Sequence, residues 1–171
     1  MSLEKKILSR ELQQYLYESG KTISTAESCT AGQIAEAIIA SPGASAYFKG
    51  GIVAYTDEIK MKVLGVNADT LEAYTAVSEA VAKEMAEGAC RVLNTDFAIS
   101  ITGIAGPTGG TAEIPVGTIW IGYGEKNDIR TYMLSEDDGR DINLSRATSK
   151  ALRLMIEYLS EKIKKPAEDE L

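Results

Sequence analysis

The sequence predicts an α/β domain in which helices cover both faces of one mixed, mostly parallel sheet of about five strands. Short β-prone segments alternate with longer stretches whose apolar residues recur at helical spacing, the pattern of a sheet layered between helices. One strand pair is joined by a connection too short for a crossover, so it must form an antiparallel hairpin and make the sheet mixed. The chain has 171 residues, 44% hydrophobic and 25% charged, which suits one core able to bury about two-thirds of the unfolded surface.

Ser2 is placed to cap a helix running to Ser19, with Leu8, Leu12 and Leu16 on one stripe and Gly20 to end it. Thr22 to Thr25 reads as a strand, and Glu27 to Ala40 as a helix stopped by Ser41-Pro42-Gly43. Gly51 to Tyr55 is a second strand, after which Asp57 can cap a short helix that Gly65 ends. Ser78 caps Glu79 to Leu93, whose stripe is Val81, Met85, Ala89 and Val92. Asp96 to Ile101 is an apolar strand leading into a glycine-rich loop, Thr102 to Ile114. Val116 to Tyr123 and Ile129 to Leu134 make the hairpin, and a last helix runs from about Asp141 to Ile163. A single domain over residues 1–164 is expected, with 165–171 as a charged, disordered tail.

Composition narrows the chemistry. A net charge of −7 disfavours a nucleic-acid surface, which concentrates Lys and Arg to release counterions. No apolar run approaches the roughly 18 residues of a membrane span, and Met1 to Arg10 does not build a signal-peptide core. A cytoplasmic location and no membrane partner are expected. Cys29 and Cys90 lie far apart with no metal-like spacing. The chain contains no histidine, which removes Ser-His-Asp and Cys-His mechanisms and leaves Asp, Glu, Lys, Tyr or Cys as the general base.

Three segments can carry chemistry. Ser28, in Glu27-Ser28-Cys29-Thr30, stands where a strand tip meets a helix start. There it either caps the helix or uses the exposed N–H groups and dipole to stabilise an oxyanion as a nucleophile. Tyr55 ends a strand and Lys60 follows one helical turn later. Lys60 is either a solvated surface group or, with its pKa lowered by desolvation, the base that takes a serine proton. Thr102 to Thr111 is a loop with four glycines, which reads equally as a connector or as a cradle for phosphate. Arg140 and Arg146 near the last helix start are available to pair with an anion.

Taken in order, the motifs A-E-S-C-T at Ala26–Thr30, P-G-x-S at Pro42–Ser45, the strand into Tyr55 with Lys60 after it, A-V-S-E at Ala76–Glu79, I-T-G-I-A-G-P at Ile101–Pro107 and P-V-G-T at Pro115–Thr118 resemble the CinA carboxy-terminal domain family. The resemblance covers nearly the whole chain. It implies a three-layer α/β/α sandwich and, from the family's stand-alone members, a nicotinamide-nucleotide amidase: hydrolysis of nicotinamide mononucleotide to the acid and ammonia, without metal or organic cofactor. It further implies Ser28 as nucleophile, Lys60 as base and Tyr55 as their assistant, with Thr30, Gly32, Ser45, Thr102, Gly103, Gly106 and Arg140 around the nucleotide. Ala44, Gly50, Asp57, Ile114 and Leu144 depart from the family pattern, where serine, arginine, asparagine, lysine and arginine are usual. Those departures leave room for a different carboxamide as substrate, or for a non-catalytic nucleotide-binding domain linked to competence and DNA damage. A homodimer is expected for an α/β enzyme of this size.

Overall fold

The computed structural model describes residues 1–164; the predicted tail lies outside them. Five strands, β1 Ile23–Glu27, β2 Phe48–Val53, β3 Phe97–Gly103, β4 Ile119–Glu125 and β5 Asp128–Leu134, form one sheet in the order β2-β1-β3-β4-β5. The pairings of β1 with β2 and β3 are parallel, whereas β3–β4 and β4–β5 are antiparallel. Four strands therefore point one way and only β4 opposes them. The hairpin is the one expected, with Lys126 and Asn127 at its tip.

Helices α1 Leu3–Ser19, α2 Gln33–Ile38 and α6 Arg140–Lys162 cover one face. They enclose a core in which Leu12, Leu16, Ile34, Leu152 and Met155 meet Ile23, Ile99, Ile101 and Ile121 of the sheet. Helices α3 Asp57–Leu64, α4 Ala68–Tyr74 and α5 Glu79–Leu93 lie on the other side, with Val81, Met85, Ala86 and Ala89 of α5 against Ala26 and Ala98. The α5 layer is built from small residues because it approaches closely. A Cβ on Gly122 of β4 would stand 2.7 Å from the Ala82 carbonyl oxygen, and one on Gly88 would collide with the Leu64 carbonyl oxygen. The result is the three-layer sandwich.

Two caps follow expectation: the Ser2 hydroxyl accepts from Lys5 N at 3.3 Å and the Ser78 hydroxyl from Val81 N at 3.3 Å. Other boundaries differ for local reasons. β1 extends to Glu27, and α2 begins only at Gln33, since Ala31 (φ 48°) and Gly32 (φ 102°) sit in the left-handed region and break any earlier helix. Ser28 is consequently not a helix cap. Thr56, not Asp57, caps α3, its hydroxyl accepting from Ile59 N at 3.3 Å. Helix α4, capped by Asn67, was not anticipated. β4 starts at Ile119 because Pro115 to Thr118 turn sharply, with Thr118 N donating to the Pro115 carbonyl at 3.1 Å.

This topology gathers chain ends at one rim. β1, β2 and β3 are mutually parallel and adjacent, and the chain leaves β1 for β2 on one side while β3 lies on the other. Crevices in open α/β sheets form beyond the carboxyl ends of strands at such a reversal. Glu27, Val53 and Gly103 are those ends. No described helix is long and apolar enough to cross a membrane.

Candidate active site

The turn after β1 is organised by Glu27. Its buried carboxylate accepts from the Thr30 hydroxyl at 2.7 Å, Ile34 N at 2.8 Å and Ala35 N at 3.0 Å. A carboxylate on first-turn N–H groups satisfies donors that a helix leaves orphaned and complements its positive end. The same bonds draw the chain from β1 into a tight loop, and Ser28 N, donating to the Ile101 carbonyl at 3.0 Å, ties that loop to β3. Ser28 stands at the apex of this held loop, 7% exposed.

Lys60 comes to Ser28 from a different layer. Thr56 starts α3 just past the end of β2, and the first turn swings Lys60 back over the rim. Its Nζ lies 3.0 Å from Ser28 Oγ and 2.9 Å from the Ala54 carbonyl oxygen, to which it donates, and the residue is 1% exposed. Burial pushes the ammonium's pKa below its ordinary value, against an opposing pull from Asp57 and a smaller one from Cys29. A neutral amine so placed keeps one N–H on the Ala54 carbonyl and turns its lone pair to the Ser28 hydroxyl. Cys29 beside them is no competitor, because burial pushes its thiol up to about 12.

Ser28 and Lys60 open into a cleft of about 380 Å³. Tyr55, Thr102, Gly103, Gly106 and Arg140, all singled out from the sequence, line it, together with Asp57 and Cys29. Tyr55 lies past the end of β2 and is 65% exposed. Its hydroxyl bonds to neither Ser28 nor Lys60, so it stands at the mouth with its ring free. The Thr102 hydroxyl is spent on the Ala76 carbonyl at 2.8 Å.

The glycine loop is pinned against the turn before β4. Ile104 N donates to the Thr118 carbonyl at 2.9 Å, Gly117 N to the Ile104 carbonyl at 2.8 Å and Thr111 N to the Ile114 carbonyl at 2.9 Å. Packing explains Gly103, since a Cβ there would stand 2.7 Å from Ile119 Cα. Gly106 has φ 86° and would meet Val116. From α6, Arg140 Nη1 donates to the Gly106 carbonyl at 2.8 Å and the buried Asn143 donates to the Ala105 carbonyl at 3.0 Å. One guanidinium is therefore fixed at the loop with other N–H groups to spare.

Several expected positions lie elsewhere. Thr30 is buried on Glu27, Gly32 supplies the left-handed step into α2, and Ser45 is exposed on a 3-10 turn at Ala44–Ala46; none of them lines the cleft. Arg146 is held by Glu136 and Asp138 outside it. Of the five departures from the family pattern, only Asp57 lines the cleft; Leu144 is core, and Ala44, Gly50 and Ile114 also lie off the cleft. Helix-start N–H groups are not free for an oxyanion either, because Ile34 and Ala35 serve Glu27 and Gln33 N serves the Thr30 carbonyl at 3.1 Å. The residues that reading the sequence missed are Glu27 as an anchor and Asn143 as a tie. Glu27 was legible as a carboxylate just ahead of a helix; Asn143 carries no local signal.

Comparison with known proteins agrees with this architecture. The family model described as the CinA C-terminal domain matches residues 5–159. A CinA-like protein of Shewanella piezotolerans is 45% identical over 152 residues, which are 88% of this chain and 36% of that protein. Another CinA-like protein, of Endomicrobium trichonymphae, is 46% identical over 82% of this chain and 33% of its own length. The chain thus spans about a third of the length of these curated relatives. Among solved structures, a competence-damaged protein (CinA) superfamily member from Klebsiella pneumoniae superposes with TM-score 0.88 at 34% identity, covering 92% of this chain and 98% of that one. A competence/damage inducible protein, CihA, from Agrobacterium tumefaciens gives 0.88 at 37% identity over 94% and 99%.

Proposed function

We propose that this chain, which belongs to the CinA C-terminal domain family, is an amidohydrolase acting on a nucleotide carboxamide, with nicotinamide mononucleotide as substrate. The observation that carries the reading is the 3.0 Å approach of buried Lys60 Nζ to Ser28 Oγ inside a cleft large enough for a small ligand. A lysine with a lowered pKa next to a serine is the arrangement that activates a hydroxyl when histidine is absent.

In the reaction, Ser28 Oγ attacks the amide carbonyl carbon as its proton passes to Lys60 Nζ. Lys60 then gives that proton to the amide nitrogen, the C–N bond breaks and ammonia leaves, with the acyl group on Ser28. Water attacks this ester, transferring its proton through Lys60 back to Ser28 Oγ, and the acid is released. Backbone N–H groups of Cys29 and Thr30 and of the Ala105–Gly106 stretch supply the oxyanion donors, since those of α2's first turn and of Ser28 are occupied. Arg140 and the pinned glycine loop hold the phosphate, which fixes the carbonyl against the nucleophile.

The test is ammonia release from nicotinamide mononucleotide with chelator present, by wild type, Ser28→Ala and Lys60→Ala. The amidase reading expects turnover by wild type alone, with each variant down by about a thousandfold or more. Tight nucleotide binding without turnover would favour a non-catalytic nucleotide-binding domain instead. Turnover of other carboxamides but not this one would move the substrate and keep the chemistry.

A further inference from the structure

The charges of the cleft are of both signs. Asp57 opens α3, one turn ahead of Lys60, and lines the same cleft as Ser28, Tyr55 and Arg140. Its carboxylate forms no hydrogen bond or ion pair among the described residues, unlike Glu27, whose oxygens are all engaged. Tyr55, two residues before it and on the same cleft lining, is 65% exposed. An unpaired carboxylate beside an exposed aromatic ring suits a planar cation, which gains from both the opposite charge and the ring's negative face. Arg140 is fixed on the Gly106 carbonyl and offers the complementary positive charge.

Resting on the amidase reading, we propose that Asp57 is the specificity-determining residue of this cleft, seating a positively charged heteroaromatic ring that bears the amide while Arg140 takes the anionic end of the same molecule. The ligand class is a zwitterionic ring nucleotide, and a carboxamide on an uncharged ring is the disfavoured relative.

The same carboxylate couples binding to catalysis. Few charged groups face Lys60. Asp57 does so from its own helix and favours the ammonium. Cys29 does so from the turn after β1, and its thiol, held at about 12, is uncharged at neutral pH. On the packed helix α5, Arg91 is engaged by the Leu64 carbonyl and Glu84 by Asn67 N and Thr70. From α6, Arg140 reaches the cleft at Gly106. A ring cation seated at Asp57 cancels the carboxylate's field and adds its own repulsion, so the Lys60 ammonium gives its proton to bulk water as substrate arrives. The base is freed by the substrate it is to act on.

The experiment uses Ser28→Ala, with and without Asp57→Asn, and measures calorimetric affinities for nicotinamide mononucleotide and for its 1,4-dihydro form, whose ring carries no charge. Preference for the charged ring should be roughly fivefold, should shrink with added salt and should be largely lost on Asp57→Asn. In the enzymes with Ser28 intact, Asp57→Asn should shift the alkaline rise of kcat/KM to lower pH, because the free enzyme's base loses its stabilising anion. A carboxylate that does not seat the ring leaves the ring preference unmoved, and the pH shift then reads only its charge coupling to Lys60. Equal affinity for both rings, unchanged by the substitution, overturns the assignment of Asp57 alone. Binding of neither nucleotide, with no ammonia release by wild type, overturns the amidase reading together with it.

Discussion

Ser28 and Lys60 are separated by 32 residues in sequence and by 3.0 Å in space. Each residue was legible from its setting, a serine at a strand tip and a lysine one turn past another strand. Their contact was not, because it depends on β1 and β2 being neighbours and on α3 folding back over both. The opposite holds for Thr30, Gly32 and Ser45, which sit in recognisable motifs yet serve the loop, the helix entry and an exposed turn. A base whose pKa burial has lowered is charged, and idle, below that value. Activity should therefore rise with pH through an apparent pKa below the ordinary lysine range, measurable as the acidic limb of kcat/KM. Lys60→Arg should abolish both activity and limb, since a guanidinium stays protonated throughout. Full activity in that variant would remove Lys60 from the role of base.

The two short elements that present these side chains are held from outside themselves. Helix α2 has only six residues, too few to be stable alone, and Glu27 at the end of β1 anchors its first turn. Glu27→Ala leaves buried donors without partners, and we expect a loss of about 3 kcal/mol, or roughly 6–12 °C in Tm by calorimetry. Glu27→Gln, which keeps one acceptor, should lose less. Helix α3 rests on Gly88 of α5, and Arg91 Nη2 donates to the Leu64 carbonyl at 2.7 Å. Gly88→Ala drives a methyl into that carbonyl and should move α3 and Lys60 together, lowering kcat and Tm in parallel. Periodicity revealed α1, α5 and α6, with side-chain caps marking the first two, because those helices are long and amphipathic. It extended α2 too far because the left-handed step at Ala31-Gly32 leaves the composition helical, and it missed α4 because that helix buries no residue.

Across the whole molecule the two ends of the sheet divide the work. The carboxyl ends of β1, β2 and β3 carry the cleft, while at the opposite end Asp96 accepts from Thr22 N at 2.9 Å, the Thr22 hydroxyl at 3.1 Å and Lys21 Nζ at 3.2 Å, stapling β1 to β3. Partial burial pushes the Asp96 carboxyl up, but these donors pull harder and its pKa ends below the ordinary value. A depressed carboxyl stabilises the fold above its unfolded pKa, and that contribution fades as pH falls through the folded one. Asp96→Asn should accordingly lower Tm at pH 7, leave kcat unchanged, and lose its deficit only in melts at pH below the ordinary aspartate range. The three-layer architecture was readable in advance because alternation and one short hairpin restrict the topology. The cleft's membership was legible in part and only through the family motifs, which named Tyr55, Thr102, Gly103, Gly106 and Arg140; spacing alone does not bring them together, because they meet only after the layers close. The central assignment is covalent, so acid-quenched turnover of nicotinamide mononucleotide followed by peptide mass spectrometry tests it directly. The peptide containing Ser28 should carry the nicotinyl nucleotide acyl group in wild type and none in Lys60→Ala, whereas undiminished ammonia release by Ser28→Ala, with no adduct in wild type, would contradict a serine nucleophile.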